Sequence, residues 1–330
     1  MTTAATSFMR QHRALAAALP ILTLTFAAAG FAAEELLPGV DWIPGRYVAT
    51  AQPDGNTVVF RAPEGLVVVD TGRHADHTQA IVDFAAAHHA QVKAIVNTHW
   101  HLDHISGNKM LRDAFPGVRI YASAALSDAL QGFLADYRAE LDSMVKKTAD
   151  EAKTKGWREE MARIDSGPAL APDEVIKSSG RRAIAGRTLD LELEDHSVTA
   201  GDVWIFDPAT RVLAAGDLVT LPAPFFDTAC SEHWKASLDR LAKFNFEILV
   251  PGHGKPIRRA EFETYRRAFD NLVACGTSKR SKADCVAGWQ RDAGSLIAKE
   301  DEAAARGLVD YYVENSMRGD PTAAAKLCGR

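Results

Sequence analysis

The chain has 330 residues, 47% of them hydrophobic and 25% charged, with a formal net charge of −5. Such a composition is globular, and the length can bury a substantial core in one large domain or two modest ones. The acidic total gives no electrostatic reason to expect nucleic acid as a partner.

Arg10 and Arg13 precede an apolar run, Ala14–Phe26, and then a small-residue stretch that ends at Ala33 before Glu34 and Glu35. A basic start, an apolar middle and a small-residue end make the layout of a secretory signal peptide. Cleavage fits after Ala29, or at Ala32 or Ala33, so residues 1–33 are expected to be removed and the protein to be periplasmic or secreted. An uncleaved anchor is the alternative, since the run approaches spanning length, but Pro20 interrupts it. No second segment is apolar enough to span a bilayer, so no stable membrane association is expected after cleavage. In an oxidising compartment the four cysteines become candidates for disulfides. Cys275 and Cys285 flank a short polar turn and form the preferred pair, which leaves Cys230 with Cys328, or both free.

Arg46–Thr50, Asn56–Phe60 and Gly65–Asp70 are β-branched runs separated by turn residues and predict consecutive strands. Thr78–Ala87 has helical spacing, and Val92–Asn97 predicts a short buried strand. A helix from about Asn108 and a strand over Val118–Tyr121 follow. From about Ala124 to Ile164 the chain is charged and helical on an Ala/Leu/Met background, which predicts an inserted helical hairpin, either a lid or a solvated outer pair. Strands resume at Thr188–Leu193, Asp202–Phe206 and Val212–Gly216, with a helix over Trp234–Lys243 and a strand over Phe246–Val250. From about Ala260 the pattern is helical to the end. The alternation predicts helices layered on sheet: a main domain over residues 34–258 with the insertion at about 124–164, and a C-terminal helical extension over 259–330.

The densest chemistry lies in His99-Trp100-His101-Leu102-Asp103-His104. Four potential metal ligands in six residues follow a buried strand. Divalent zinc takes imidazole and carboxylate ligands, and a catalytic site keeps a position open for water. Strand alternation puts His99 and His101 on one side, while Asp103 and His104 lie where the chain turns into a helix. Three more candidates sit at strand ends: His196 after Leu191–Asp195, Asp217 ending Ala214–Gly216, and His253 in Pro251-Gly252-His253-Gly254. Strand ends converge on one rim of a sheet sandwich, where sites are built on a rigid scaffold. His74, His77, His88 and His89 surround or lie on one helix and read as surface histidines. His233 reads as part of a helix N-terminus, and Trp100 fits either a pocket wall or the core.

With these motifs in order from about Gly45 to Lys255, the sequence resembles the metallo-β-lactamase superfamily. The resemblance implies a four-layered αββα sandwich of the α/β class. It implies that His99, His101 and His196 hold a first metal, that Asp103, His104 and His253 hold a second, and that Asp217 bridges both. The ions implied are two divalent cations, zinc first, with iron or manganese as alternatives. Val69-Asp70-Thr71-Gly72 fits the strand-end aspartate that supports the metal loop, and Asp202 likewise reads as a loop-holding residue. The activity implied is hydrolysis of a small-molecule substrate by a metal-bridging hydroxide, with Asp103 both ligating and orienting the nucleophile.

Asp217 separates the sequence from the lactamase branches, which lack that bridging carboxylate, and makes it similar to glyoxalase II-like hydrolases. The substrate-binding pattern of a true glyoxalase II is missing from the C-terminal helices. The exported, bridging-aspartate combination also resembles zinc metallohydrolases associated with periplasmic quinoprotein systems. An ester, thioester or lactone is therefore the expected substrate, and a β-lactam the second choice. A mononuclear iron persulfide dioxygenase-like enzyme and a non-catalytic metal-binding protein are the readings from other classes.

Overall fold

Two β-sheets stack face to face. The computed structural model describes residues 32–46 and 52–329. The signal segment therefore lies outside the described residues save its last two, as does nearly all of the strand expected over Arg46–Thr50. The first sheet holds seven strands in chain order: β1 (Glu34–Leu37), β2 (Val40–Ile43), β3 (Thr57–Ala62), β4 (Gly65–Val69), β5 (Val92–Val96), β6 (Arg119–Ser123) and β7 (Glu174–Ile176). β1 to β4 are antiparallel neighbours, whereas β4, β5, β6 and β7 run parallel. The second sheet holds six: β8 (Gly180–Ile184), β9 (Arg187–Asp195), β10 (Gly201–Asp207), β11 (Val212–Thr220), β12 (Ile248–His253) and β13 (Ile257–Arg258), with β11 and β12 parallel.

The core between the sheets is aliphatic and comes from both: Val58, Phe60, Val67 and Val96 on one side, Leu191, Val203, Val212 and Val250 on the other. Helices cover both outer faces, which is why several strands read as unbroken hydrophobic runs rather than alternating ones. α1 (Ala75–Ala87) lays Ile81, Phe84 and Ala85 on the first sheet. The short α2 (Leu102–Ile105) and α3 (Asn108–Ala114) follow β5.

The insertion is three helices and not the expected hairpin: α4 (Ala124–Gln131), α5 (Phe133–Lys147) and α6 (Glu151–Ile164). Gly132 breaks the first from the second. These helices share a core with Trp100, Leu102 and Ile105 of the histidine segment.

α7 (Ser231–Leu241) and α8 (Arg259–Gly276) pack on the second sheet, α9 (Lys282–Ala293) packs on α8 and α10 (Glu302–Tyr312) on α9, and α11 (Pro321–Leu327) ends the described chain. Their core buries Trp204, Trp234, Trp289, Phe262 and Phe269; truncating one such aromatic costs about 3–5 kcal/mol. The C-terminal helices thus share a core with the second sheet rather than forming a core of their own. Both candidate disulfides are present, Cys275–Cys285 and Cys230–Cys328. No helix of the described residues is long and apolar enough to cross a membrane.

The parallel order of β4, β5 and β6 aims their C-terminal ends at one rim, and β11 with β12 does the same from the other sheet. β11 runs on to Thr220, so Asp217 lies within that strand instead of ending it. A register shift at Gly216 (φ 54°) re-aims the chain there, as a bulge does beside a site.

Candidate metal centre

Six of the seven expected ligands meet at this rim, in two groups: His99, His101 and Asp217, and Asp103, His104 and His253. Asp217 stands between them. Its Oδ2 faces His99 Nε2 at 3.6 Å and His101 Nδ1 at 4.0 Å. Its Oδ1 faces His104 Nε2 at 3.3 Å and His253 Nε2 at 3.6 Å. Asp103 Oδ2 lies 3.1 Å from His253 Nε2. One carboxylate thus offers an oxygen to each group, the arrangement a bridging ligand needs.

Hydrogen bonds behind the ligands fix which ring nitrogen is free. Asp70, held at φ 60° just after β4, accepts from Thr98 N at 2.8 Å and from Thr98 Oγ1 at 2.7 Å. That hydroxyl, its proton committed, accepts from His99 Nδ1 at 2.9 Å. Asp70 Oδ2 also lies 2.7 Å from His104 Nδ1. His101 Nε2 donates to Thr228 Oγ1 at 2.8 Å, and Thr228 in turn donates to Val198 O at 2.9 Å. The lone pairs of His99 Nε2, His101 Nδ1 and His104 Nε2 are therefore left facing Asp217, the outer-shell logic by which metal-binding imidazoles are oriented.

The residues fit divalent cations on an independent ground. His99 Nε2, His104 Nε2, His253 Nε2 and both oxygens of Asp217 are buried without a hydrogen-bond partner. Orphaned atoms of this kind are rare, and each costs roughly 1–3 kcal/mol unless something outside the chain satisfies it. Glycines make the crowding possible. A Cβ on Gly252 would come within 2.0 Å of Asp217 Oδ1, and one on Gly55 within 2.5 Å of the His104 ring.

The electrostatics point the same way. Burial, with His104 and His101 beside it, holds His99 well below the usual imidazole range, and burial brings His101 down to about 4. Burial opposes charge on His104 too, yet Asp217, Asp70 and Asp103 around it raise it well above that range. Asp217 and Asp103 remain ionised despite burial, because His104 and His253 face both and Arg73 faces Asp103. Buried carboxylates packed among imidazoles thus draw positive charge to this point, carried by His104 in the metal-free chain and suited to a cation where one is bound.

His196 stands apart from the other six expected ligands. It joins neither group. Its Nδ1 is hydrogen-bonded to Leu327 O at 3.1 Å, and its Nε2 faces Asp195 at 3.6 Å. Asp202 does hold the adjoining loop, accepting from Val198 N at 3.0 Å and from Thr199 N and Oγ1; burial raises its pKa to about 7. Two other histidines also depart from expectation. His77 is wholly buried, hydrogen-bonded to Thr57 Oγ1 at 2.8 Å. It shares a helix face with Ile81, a periodicity readable in the sequence. His74 is half-buried on Asp54 Oδ2 at 3.0 Å. His88 and His89 are exposed, as expected, and His233 lies in the first turn of α7.

A cavity of about 920 Å³ opens over the centre, with His101 and Asp103 in its floor. Its walls carry six aromatic residues, Trp100, Phe133, Tyr137 and Trp157 from the histidine segment and the insertion and Phe225 and Tyr312 from the C-terminal half, beside the charged Arg73, Lys153, Glu160 and Arg163. Trp100 both lines the cavity and packs in the insertion's core. Sequence reasoning missed Arg73, which is 9% exposed, lies 3.6 Å from Asp103 Oδ1 and pairs with Glu160 of α6. Arg163 Nη1 donates to the same Glu160 at 3.0 Å. The insertion is thereby tied to the metal loop through charge.

A two-sheet sandwich with helices outside and a histidine–aspartate donor set at one rim defines a candidate metal centre on a layered α/β scaffold. The profile of the metallo-beta-lactamase superfamily matches residues 52–253, and the chain belongs to that superfamily. It is 30% identical over 225 residues, 62% of this chain, to the linear primary-alkylsulfatase of Pseudomonas sp. (strain ATCC 19151); the match spans only 42% of that relative's length. Among solved structures, a sec-alkyl sulfatase double mutant superposes with a TM-score of 0.58 at 17% identity, covering 88% of this chain and 51% of that one. A metallo-beta-lactamase from Pontibacter korlensis superposes with a TM-score of 0.54 at 20% identity, covering 73% and 99%. These two likenesses establish the fold.

Proposed function

We propose that the protein is an exported hydrolase that uses two zinc ions to cleave an ester-type bond in a small molecule with a sizeable apolar group. The observation that carries this is Asp217, one carboxylate oxygen toward each ligand group, beneath an aromatic-walled cavity. Divalent ions bound there would polarise the scissile oxygen and bring a water's deprotonation near neutral pH. His99, His101, His104, His253, Asp103 and Asp217 would hold them, in tautomers set by Asp70, Thr98 and Thr228. The buried carboxylate of Asp103, beside both groups and the cavity, is placed to accept a hydrogen bond from the attacking water. The aromatic walls would exclude bulk water and bind the apolar part of the substrate.

Carboxylic ester, thioester and lactone substrates all suit this chemistry. The relatives named alkylsulfatases add the alkyl sulfate ester, which joins an anionic head to an apolar group. Export is supported by the N-terminal pattern and by two disulfides, which persist in oxidising compartments.

The test is the purified, zinc-loaded protein against a panel of alkyl sulfates, carboxylic esters, thioesters, lactones and β-lactams of graded chain length. Turnover that rises with the apolar chain and is confined to the ester classes is expected. Preferential β-lactam hydrolysis would overturn the reading, as would sulfur oxidation by a protein carrying one iron.

A further inference from the structure

α6 buries three residues, Thr154, Glu160 and Ile164, and one of them is a carboxylate only 7% exposed. Glutamate is almost never that buried unless it is paired, and a buried ion pair is seldom a gain in stability. Both oxygens of Glu160 are taken by arginines, Oε1 by Arg73 Nη1 and Oε2 by Arg163 Nη1 at 3.0 Å. Arg163 Nε also donates to Arg73 O at 3.1 Å. α6 therefore grips Arg73 at two points, its guanidinium and its backbone carbonyl. Arg73 is pinned from the other side too, its Nε donating to Pro53 O at 3.2 Å and its backbone N–H to Asp54 Oδ1 at 2.7 Å. Its remaining terminal nitrogen, Nη2, faces Asp103 Oδ1 at 3.6 Å.

The two oxygens of Asp103 thus have separate surroundings. Oδ2 is turned to the second ligand group, 3.1 Å from His253 Nε2 and 3.8 Å from His104 Nε2, while Oδ1 faces the guanidinium. We propose that Glu160 is a positioning residue for the metal centre: through Arg73 it fixes the carboxylate of Asp103 so that Oδ2 serves the second group. A guanidinium alone beside that carboxylate would hold it but would also repel a cation bound there. The charge of Glu160 offsets that repulsion, so Arg73 orients Asp103 with little loss of cation affinity. α6 also lines the cavity through Trp157 and Gly156, so the helix that walls the substrate space braces the second group as well. Coupling of this kind is reciprocal: an ion in the second group steadies α6. The inference rests on the metal-centre reading above.

The test is zinc binding by competition with a chromophoric chelator, with the number of bound ions counted by native mass spectrometry. The second group, with three donors of its own besides Asp217, takes the tighter ion. Glu160→Gln should weaken that ion about tenfold or more, as loss of a ligand's outer partner does, and leave the weaker ion within about twofold. Both ions weakened equally, or neither weakened, would overturn the proposal. Added to Arg73→Met, Glu160→Gln should cause no further loss, because the two residues act as one unit; additive losses would overturn a route through Arg73. Hydrogen exchange over α6 gives a second readout. Zinc should slow it in the unaltered chain and not in Glu160→Gln, and equal slowing in both would contradict the coupling. Unchanged zinc affinities with a raised KM for an alkyl sulfate would make the two arginines a clamp for substrate and would also overturn the proposal. If Glu160→Gln lacks a cooperative melt, Arg163→Gln, at a half-buried residue, takes its place with the same expected loss, and an unweakened tighter ion there would overturn it. A chain that binds no ion removes the metal centre itself, a result distinct from two ions indifferent to Glu160, which removes only the brace.

Discussion

The two ligand groups flanking Asp217 differ in what holds them. Asp103, His104 and His253 are fixed by near neighbours in the rim: Asp70 behind His104, Arg73 beside Asp103, and the glycines that let β12 approach. His99 shares that support through Thr98. His101 depends instead on Thr228, which in turn donates to Val198 O. The second group is thus held from the rim of the sheets, and the first needs in addition the loop that carries Thr228. The direct supports of the second group therefore lie on the scaffold, and the first depends on one contact beyond it as well.

The largest expected effect comes from removing what the halves share. Asp217→Ala should lower hydrolysis by about three orders of magnitude or more and weaken both ions, since each group loses an oxygen. Loss of only one ion with substantial turnover would show that the halves act separately. Asp70→Ala strikes the support of His99 and His104 without touching a metal, and should cost roughly 10–100-fold in zinc affinity, read by chelator competition. An effect confined to His104 would show that Thr98 holds His99 without help from Asp70.

A smaller effect is expected in the cavity wall. Trp157→Ala should raise KM for a long-chain ester about tenfold, the equivalent of one buried aromatic contact surface, with kcat within about twofold. An equal loss on a short-chain ester would place Trp157 in the fold rather than at the substrate. The mildest test concerns pH. Burial holds His77 at about 4 against 6.5 in the unfolded chain. Its neutral form is thus favoured by folding; this contribution is full above pH 6.5 and is lost as pH falls from 6.5 through 4. Over that window the loss is about 3 kcal/mol. His77→Gln should flatten the fall by that amount in chemical denaturation of metal-free protein, where titration of the ligand histidines is common to both proteins. An unchanged slope would contradict His77 being buried neutral.

What was legible in the sequence follows the same division. His99 to His104 and His253 could be read because each lies at or beside a strand end, where local alternation sets the side-chain direction; Asp217 was found by its acidic side chain in an apolar run, although β11 continues past it. The three-helix insertion and the C-terminal helices were legible in outline from composition. β1 and β2 were missed although Pro38-Gly39 marks the turn between them. The position of His196 was not legible, since it is fixed by Leu327, which is 131 residues away in sequence. The Arg73–Glu160 pair, 87 residues apart, was hidden for the same reason, and the Cys230–Cys328 bond, at a separation of 98, was left open between pairing and free thiols. Local pattern reports direction along an element, and long-range closure decides the rest.

The most direct test of a shared, two-part centre is native mass spectrometry of the intact protein and its ligand variants across a zinc titration. Two successive ions per chain are expected: His253→Ala should lose the tighter, His101→Ala the weaker, and Asp217→Ala should weaken both. Two ions bound with unchanged affinities in Asp217→Ala would contradict a centre built on that carboxylate.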